Sequence, residues 1–257
     1  MVLGVAAGCQ VTAIHVDHGQ RLGSADEAAI VERYANVLGA AFESHSVDVQ
    51  PGSNLEARMR AARYSVLGPD AATGHTADDQ AETLLINLVR GAGLTGLGAM
   101  QPGHRRPILD LRRADTEAIC ASLGWQPVND ASNDDPAFQR NRMRQEVIPL
   151  LNEISGRDIV PLLNRSSKHA REASETLVEQ AQTIDVTDAK QLAATPTPIA
   201  AIAIQQWIRN ETSDEYPIDT ASIARVLRVA AGEAKAAEVT GGWRVQRSKQ
   251  RLFVAKP

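Results

Sequence analysis

A β-branched run at residues 11–16, VTAIHV, stops at the loop-forming Asp17-His18-Gly19, and helical periodicity takes over from Ser24 to about Leu38. Ala28, Val31, Ala35 and Leu38 share one face of that helix, and Gly39 supplies the stop. The same change of period recurs twice. A strand at 41–49 precedes a helix from Asn54 to Gly68, and a short apolar strand at 70–74 precedes a helix from Thr76 to about Arg90. Strands and helices that alternate in this way predict an α/β fold, a parallel sheet with helices on both faces. Beyond Gly91 the pattern turns helical. Helices are expected at 113–124, from about Phe138 to Leu151 and from Arg157 to about Ile184. After the punctuating TPTP at 195–198 two more are expected at about 198–210 and 219–231. Two short strands, WRVQR and RLFVA, close the chain. The 257 residues therefore divide into an α/β domain at 1–153, a connector helix at 154–187 and a small, mainly helical C-terminal domain at 188–257.

Several function classes drop out on composition. No window approaches the roughly 18 apolar residues of a membrane-spanning helix, so no membrane partner is expected. Cys9 and Cys120 form neither a CxxC nor a zinc spacing, which fits a reducing, cytoplasmic location. The net charge of -4 announces no nucleic acid, but residues 101–171 carry 11 basic against 9 acidic side chains.

Five clusters carry polar chemistry. In GHTADDQAET, Gly74 to Thr83, His75 sits at the carboxyl end of an expected strand, where ligands of open α/β sheets gather. Asp78 and Glu82 are four apart and Asp79 and Glu82 three apart, so helical geometry gives them one face. Such a face suits magnesium or an amine; the plainer alternative is a capped helix whose acidic first turn complements the dipole. His15, Asp17 and His18 occupy another strand end, as metal ligands or as a loop that receives a nucleotide base. Arg60 and Arg63 lie three apart beside Tyr64, either as a basic face or as a solvated one paired with Glu56. Arg140 and Arg144 lie four apart after the polar loop NDASNDDP, with phosphate recognition and local salt bridges as the two readings. Arg90 precedes GAGLTGLG, which is either a helix stop or a flexible loop near a ligand. The chain has no GxGxxG and no Walker lysine motif.

Taken in order, HVDHG, the RxxRY helix, GHTADDQAET, RGAGLTGL, RPILDL, NDASN and RNRMR resemble the tRNA(Ile)-lysidine synthase family of the PP-loop ATP-pyrophosphatase group. The resemblance runs from about residue 11 to residue 151. It implies an adenine nucleotide alpha hydrolase-like fold and a two-step reaction. ATP adenylates the carbon-2 oxygen of the wobble cytidine of a CAU anticodon, and the ε-amine of free L-lysine then displaces AMP. ATP and magnesium are the implied cofactors, and tRNA(Ile) and lysine the implied partners, with room for a homodimer. By the same resemblance His75, Asp78, Asp79 and Glu82 are expected to be catalytic, with Asp79 on the metal. His15, Asp17, His18 and Gly74 are expected at ATP, and Arg60, Arg63, Arg90, Arg140 and Arg144 on tRNA.

One departure stands out. The glycine-rich PP-loop of the family, with the first strand before it, should lie ahead of residue 1, and Met1-Val-Leu-Gly-Val-Ala-Ala reads as the end of a buried helix that follows it. The expectation is a start some 20–40 residues upstream, about the length of a strand and loop with a short extension. The alternatives are a non-catalytic tRNA-binding remnant and another PP-loop tRNA enzyme such as a thiolase.

Overall fold

The computed structural model describes residues 1–17, 24–47, 55–127, 135–212 and 218–256. The chain forms two compact units, one of residues 1–80 and 101–145, the other of 81–100 and 146–257.

The first unit opens with α1 (Val2–Ala6), β1 (Thr12–Asp17), α2 (Ser24–Leu38) and β2 (Ala41–Ser46). β1 and β2 pair in parallel from Thr12 opposite Ala41 to Asp17 opposite Ser46. The amide of Val47 extends the ladder to the carbonyl of Asp17 at 2.8 Å. A parallel pair needs a crossover, and α2 supplies it, packing on both strands through a face that includes the fully buried Ala35. Gly39 ends α2 at φ +67°, where a side chain would be strained. α3 (Leu55–Leu67), the first turn of α4 (Ala77–Val89), α6 (Arg113–Ser122) and α7 (Gln139–Arg142) complete the unit.

Three expectations change here. Residues 70–74 form no strand; the amide of Thr73 donates to the Arg105 carbonyl at 2.8 Å. Ala71, Ala72 and Gly74 offer a sheet little side chain to pack, so apolar composition overstated the strand. α1 is helical as read, yet none of its residues is buried. The helix expected from Phe138 to Leu151 is present as an uninterrupted run over 139–155, but a π-helical turn (Met143–Val147) separates α7 from α8 (Ile148–Ser155) within it. Pro149 has no N–H for the regular helical bond and its ring crowds the preceding turn, which a widened turn relieves. The end of the expected strand at 41–49 lies outside the described residues.

The second unit holds the rest of α4, then α5 (Leu94–Leu97), α8, α9 (Val160–Gln182), α10 (Ala189–Ala194), α11 (Thr197–Thr212), α12 (Thr220–Ala231) and strands β3 (Ala236–Glu238), β4 (Arg244–Ser248) and β5 (Arg251–Ala255). The strands form an antiparallel sheet in the order β3-β4-β5. Its core joins Leu192, Ile204, Ile208, Val226, Val229 and Val245, all 0% exposed. Burying each such side chain is worth about 1.5–3 kcal/mol. α10 was not foreseen. Asp188 caps it by accepting from the amides of Lys190 and Gln191, and Ala189 donates to the Gln250 carbonyl beside β5.

α5 and its glycines pack on α9. Ser167 Oγ donates to the Gly98 carbonyl at 2.9 Å, and Arg171 Nη2 donates to the carbonyls of Gly98 and Met100 at 2.7 and 2.9 Å. A Cβ on Gly98 would lie 3.2 Å from the Arg171 Cβ and 3.3 Å from its Cα, so a larger residue here would need α9 to give by a few tenths of an ångström.

Candidate functional site

The polar centre of the first unit is built at the N-terminus of α4. Thr76 precedes the helix, and its N–H and hydroxyl both donate to Asp79 Oδ2, at 2.8 and 2.9 Å. The Asp79 amide returns a longer bond of 3.5 Å to Thr76 Oγ1. This is a capping box closed by aspartate where glutamate is usual, and such caps stabilise by about 0.5–2 kcal/mol. The plainer reading of this acidic turn therefore describes part of what Asp79 does.

Arginines do the rest. Arg112 donates through Nε to both oxygens of Asp78, at 3.2 and 3.1 Å, and through Nη2 to Oδ1 at 2.9 Å. The backbone N–H of Arg113, the first residue of α6, donates to Asp78 Oδ2 at 2.7 Å, so Asp78 also closes the N-terminus of that helix. The Arg113 side chain turns to the neighbouring acid, with Nη2 3.2 Å from Asp79 Oδ1. Arg144, on the π-helical turn, brings its Nη2 to 3.8 Å from the same oxygen. The two carboxylates are 15% and 17% exposed and the three guanidiniums 34%, 30% and 27%, so the cluster lies at the edge of solvent.

These contacts fix the ionisation of the acids. Burial pushes the Asp78 carboxyl up, but the Arg112 guanidinium, the Arg113 amide and the charge of both arginines outweigh it and hold the group below its ordinary range. For Asp79 burial again pushes up, and the two Thr76 bonds with the charges of Arg113 and Arg140 bring the pKa below the ordinary value.

Magnesium does not fit here. The ion demands near-octahedral oxygen ligands at about 2.0–2.1 Å. Both oxygens of each aspartate already accept hydrogen bonds, and cationic guanidiniums stand where the metal would. Among the described residues no group of three or more His, Cys, Asp or Glu side chains could hold a metal.

Glu82 departs from the expected acidic face. Its side chain is 0% exposed, among the buried Ala81, Leu84 and Leu85, where it is engaged with other groups. α4 turns it inward while Asp78 and Asp79 reach the surface, because the buried stripe of the helix is wide enough to include position 82. Arg90 is exposed at the far end of α4, in the second unit.

His75 follows the exposed Gly74, and its Nδ1 lies 2.7 Å from Thr73 Oγ1. That hydroxyl is also 3.1 Å from the Arg105 carbonyl. If it donates there, His75 Nδ1 carries the hydrogen. His15 and Asp17 lie on β1, Asp17 at its carboxyl end, and His18 lies outside the described residues. His15 Nδ1 is a buried ring nitrogen with no hydrogen-bond partner among the described residues. Arg63 is exposed on α3 with Arg60, of whose side chain nothing is described. The structure thus brings Asp78, Asp79, Arg140 and Arg144 to one place. It adds Arg112 and Arg113, which the sequence reading missed. Two adjacent arginines directly after the apolar ILDL, in the basic stretch of a chain with an acidic turn to neutralise, were the available signal.

Residues 3–151 match the PP-loop domain family. The tRNA(Ile)-lysidine synthase of Rhodococcus erythropolis is 39% identical over 221 residues, covering 79% of this chain and 68% of that protein. That of Nocardia farcinica is 37% identical over 221 residues, covering 79% and 69%. That of Mycolicibacterium paratuberculosis is 43% identical over 175 residues, covering 65% and 54%. The chain therefore spans between about half and two-thirds of the length of these relatives.

Proposed function

Since the chain belongs to the PP-loop domain family and to the tRNA(Ile)-lysidine synthases within it, we propose that it joins lysine to the wobble cytidine of tRNA(Ile) as an ATP-dependent carbon–nitrogen ligase. The observation that carries this reading is the extent of the match. The PP-loop family accounts for residues 3–151, whereas identity to the lysidine synthases covers 79% of the chain and so continues past that domain.

In this reading ATP activates the carbon-2 oxygen of the cytidine in the CAU anticodon, and the ε-amine of free L-lysine displaces AMP. His15, Asp17, His18 and Gly74 are the proposed nucleotide-side residues, supported by the His15 nitrogen that has no partner among the described residues. The segment from His75 to Glu82 is proposed as the place where lysine meets the activated base. Arg60, Arg63, Arg90, Arg140 and Arg144 are proposed to face tRNA. Magnesium is proposed as the counter-ion of ATP, with no ligand assigned to it among these residues. Residues 1–153, 154–187 and 188–257 are proposed as the catalytic domain, connector and tRNA-contacting domain of a cytoplasmic enzyme. Among the described residues no helix is long and apolar enough to cross a membrane. Whether it works as a homodimer is read from its mass in solution.

The test is incorporation of labelled lysine into a tRNA(Ile) transcript bearing CAU, with AMP release followed in parallel. Lysine-dependent AMP release with label in the anticodon supports the reading. Salt-dependent tRNA binding without AMP release replaces it with a non-catalytic binder.

A further inference from the structure

We propose that the outer face of the C-terminal sheet is a platform for single-stranded RNA, with an unpaired base stacked on Phe253 and phosphates held by Arg244 and Lys249 on either side of it. That the RNA is tRNA(Ile) rests on the function proposed above; the platform itself rests on the sheet.

Register comes first. Alternation along the strands turns the buried Ala237, Val245 and Leu252 toward the core. The same alternation sends Arg244, Gln246 and Ser248 of β4 outward together with Arg251, Phe253 and Ala255 of β5. Phe253 lies directly opposite Gln246. Arg251 stands two residues along β5 on one side of the ring, and Arg244 stands diagonally across on β4 on the other. Phe253 is 42% exposed. A single exposed apolar ring is ordinary on a protein surface, so its setting has to carry the argument.

That setting is cationic. Residues 243–257 include Arg244, Arg247, Lys249, Arg251 and Lys256 and no acid. Arg247 is turned to the Ala230 carbonyl at 2.9 Å and to the Gln250 side chain, and Arg251 is paired with Asp185 at 2.7 Å. Lys256 lies over Trp243, 5.5 Å from the ring centroid. Arg244, Lys249 and Lys256 make no ion pair among the described residues. The acids of the neighbouring segments are mostly engaged. Asp188 caps α10, Asp219 caps α12, and Glu233 is paired with Arg228 at 3.3 Å. Glu238 lies opposite Arg244 in register but makes no ion pair with it. Over the whole of residues 185–257, with Asp214 and Glu215 outside the described residues counted in, ten basic side chains still meet eight acidic ones.

Unpaired cations attract a polyanion, and the ring among them selects which one. Lipid headgroups and acidic peptides would use the charges and leave the ring without a flat partner. An unpaired base has a face that stacks on an aromatic side chain, and its phosphates reach the flanking cations. Gln246, across from the ring, offers an amide to the edge of a base lying there.

A fluorescein-labelled oligouridine of about twelve nucleotides is titrated into the full chain and followed by anisotropy. Phe253→Ala is expected to weaken binding about five-fold or more, Phe253→Leu to fall with it, and Phe253→Tyr to bind like the parent. Arg244→Gln should flatten the salt slope by about 0.7. These side chains face solvent, so urea unfolding of each variant should match the parent. A parent chain that does not bind the RNA, or Phe253→Ala or Phe253→Leu that binds it as tightly, overturns the platform. So does an unchanged slope in Arg244→Gln. Phosphatidylserine vesicles and polyglutamate carry charge without bases and should compete poorly. Equal competition by either gives the face to a lipid surface or an acidic protein instead.

One further arm separates this proposal from the function it builds on. A tRNA(Ile) transcript whose binding depends on Phe253, but which yields no lysine-dependent AMP release, leaves the platform standing and removes the proposed function. Lysine-dependent AMP release with an unchanged KM for tRNA in Phe253→Ala keeps the function and overturns the platform as a tRNA site.

Discussion

Replacing Asp78 by Asn and Arg112 by Gln, singly and together, measures how firmly the start of α6 is tied to α4. Asp78 receives three short bonds from the Arg112 guanidinium, between 2.9 and 3.2 Å, and one of 2.7 Å from the Arg113 amide. Hydrogen bonds to charged groups contribute about 1.5–3 kcal/mol each in stability, but those from one guanidinium to one carboxylate count nearer to a single interaction than to three. At 15% exposure the carboxylate is largely withdrawn from water, so the pair lies between an exposed ion pair, worth about 0–1 kcal/mol, and a buried one, whose disruption costs about 3–5. We expect Asp78→Asn to cost about 2 kcal/mol and the double-mutant cycle to give a coupling of roughly 1.5 kcal/mol. The chain has two units, so a single melting temperature mixes their contributions; hydrogen exchange at the amides of α6 reads the local loss instead. Faster exchange across Arg113–Ser122 in either single variant, with no further loss in the double, is the expected pattern. A coupling under about 0.5 kcal/mol would falsify the claim that Asp78 anchors this helix.

Acid should loosen the same region. Asp78 and Asp79 are held below their ordinary range, so each contributes stability that is fully present above the unfolded value of 3.8 and is lost as pH falls through the lower folded value. Protection of α6 should therefore decline below about pH 4, and much less in Asp78→Asn; equal declines would contradict it. Gly98→Ala drives a methyl group toward the backbone of α9 and should destabilise by about 1–3 kcal/mol, measured by urea unfolding of the second unit. Arg171→Ala removes the donor to the carbonyls of Gly98 and Met100, so exchange should quicken at residues 96–100 while α12 amides stay unchanged. Ile204→Ala, at a site with 0% exposure, should cost about 2–5 kcal/mol in the same urea assay, and a cost under 1 would mean that the core around α11 is loosely packed.

Much of the fold is legible in the chain because its signals are local. The change from period two to helical period places β1 and α2, glycines at 39 and 68 mark where helices stop, and the polar turn at Lys249-Gln250 joins β4 to β5 with both residues at positive φ. What resists reading is set by partners far along the chain. Residues 70–74 carry a strand-like composition, but the Thr73 amide finds the Arg105 carbonyl 32 residues away, and no periodicity reports that choice. α10 is too short to show a period of its own and is defined by the Asp188 cap and the neighbouring strand. Pro149 is visible as a disturbance in a helix, yet only the structure shows that the chain answers with a π-helical turn.

The candidate site shows the same division, with a consequence for function. Spacing on a helix groups Asp78 and Asp79 each with Glu82 but cannot say which way Glu82 faces, because the buried arc of α4 depends on what packs against it. An acidic turn in isolation reads as a cation site, since an uncompensated pair of carboxylates side by side repels and calls for positive charge. In the folded unit that charge is already present, and it is organic. Arg112 and Arg113 arrive 34 residues later in sequence, each guanidinium donating to one aspartate, while Arg144 reaches Asp79 from a turn widened ahead of Pro149. A turn that the sequence presents as a place for magnesium or an ammonium is, in the folded unit, one whose two carboxylates both accept from arginine side chains.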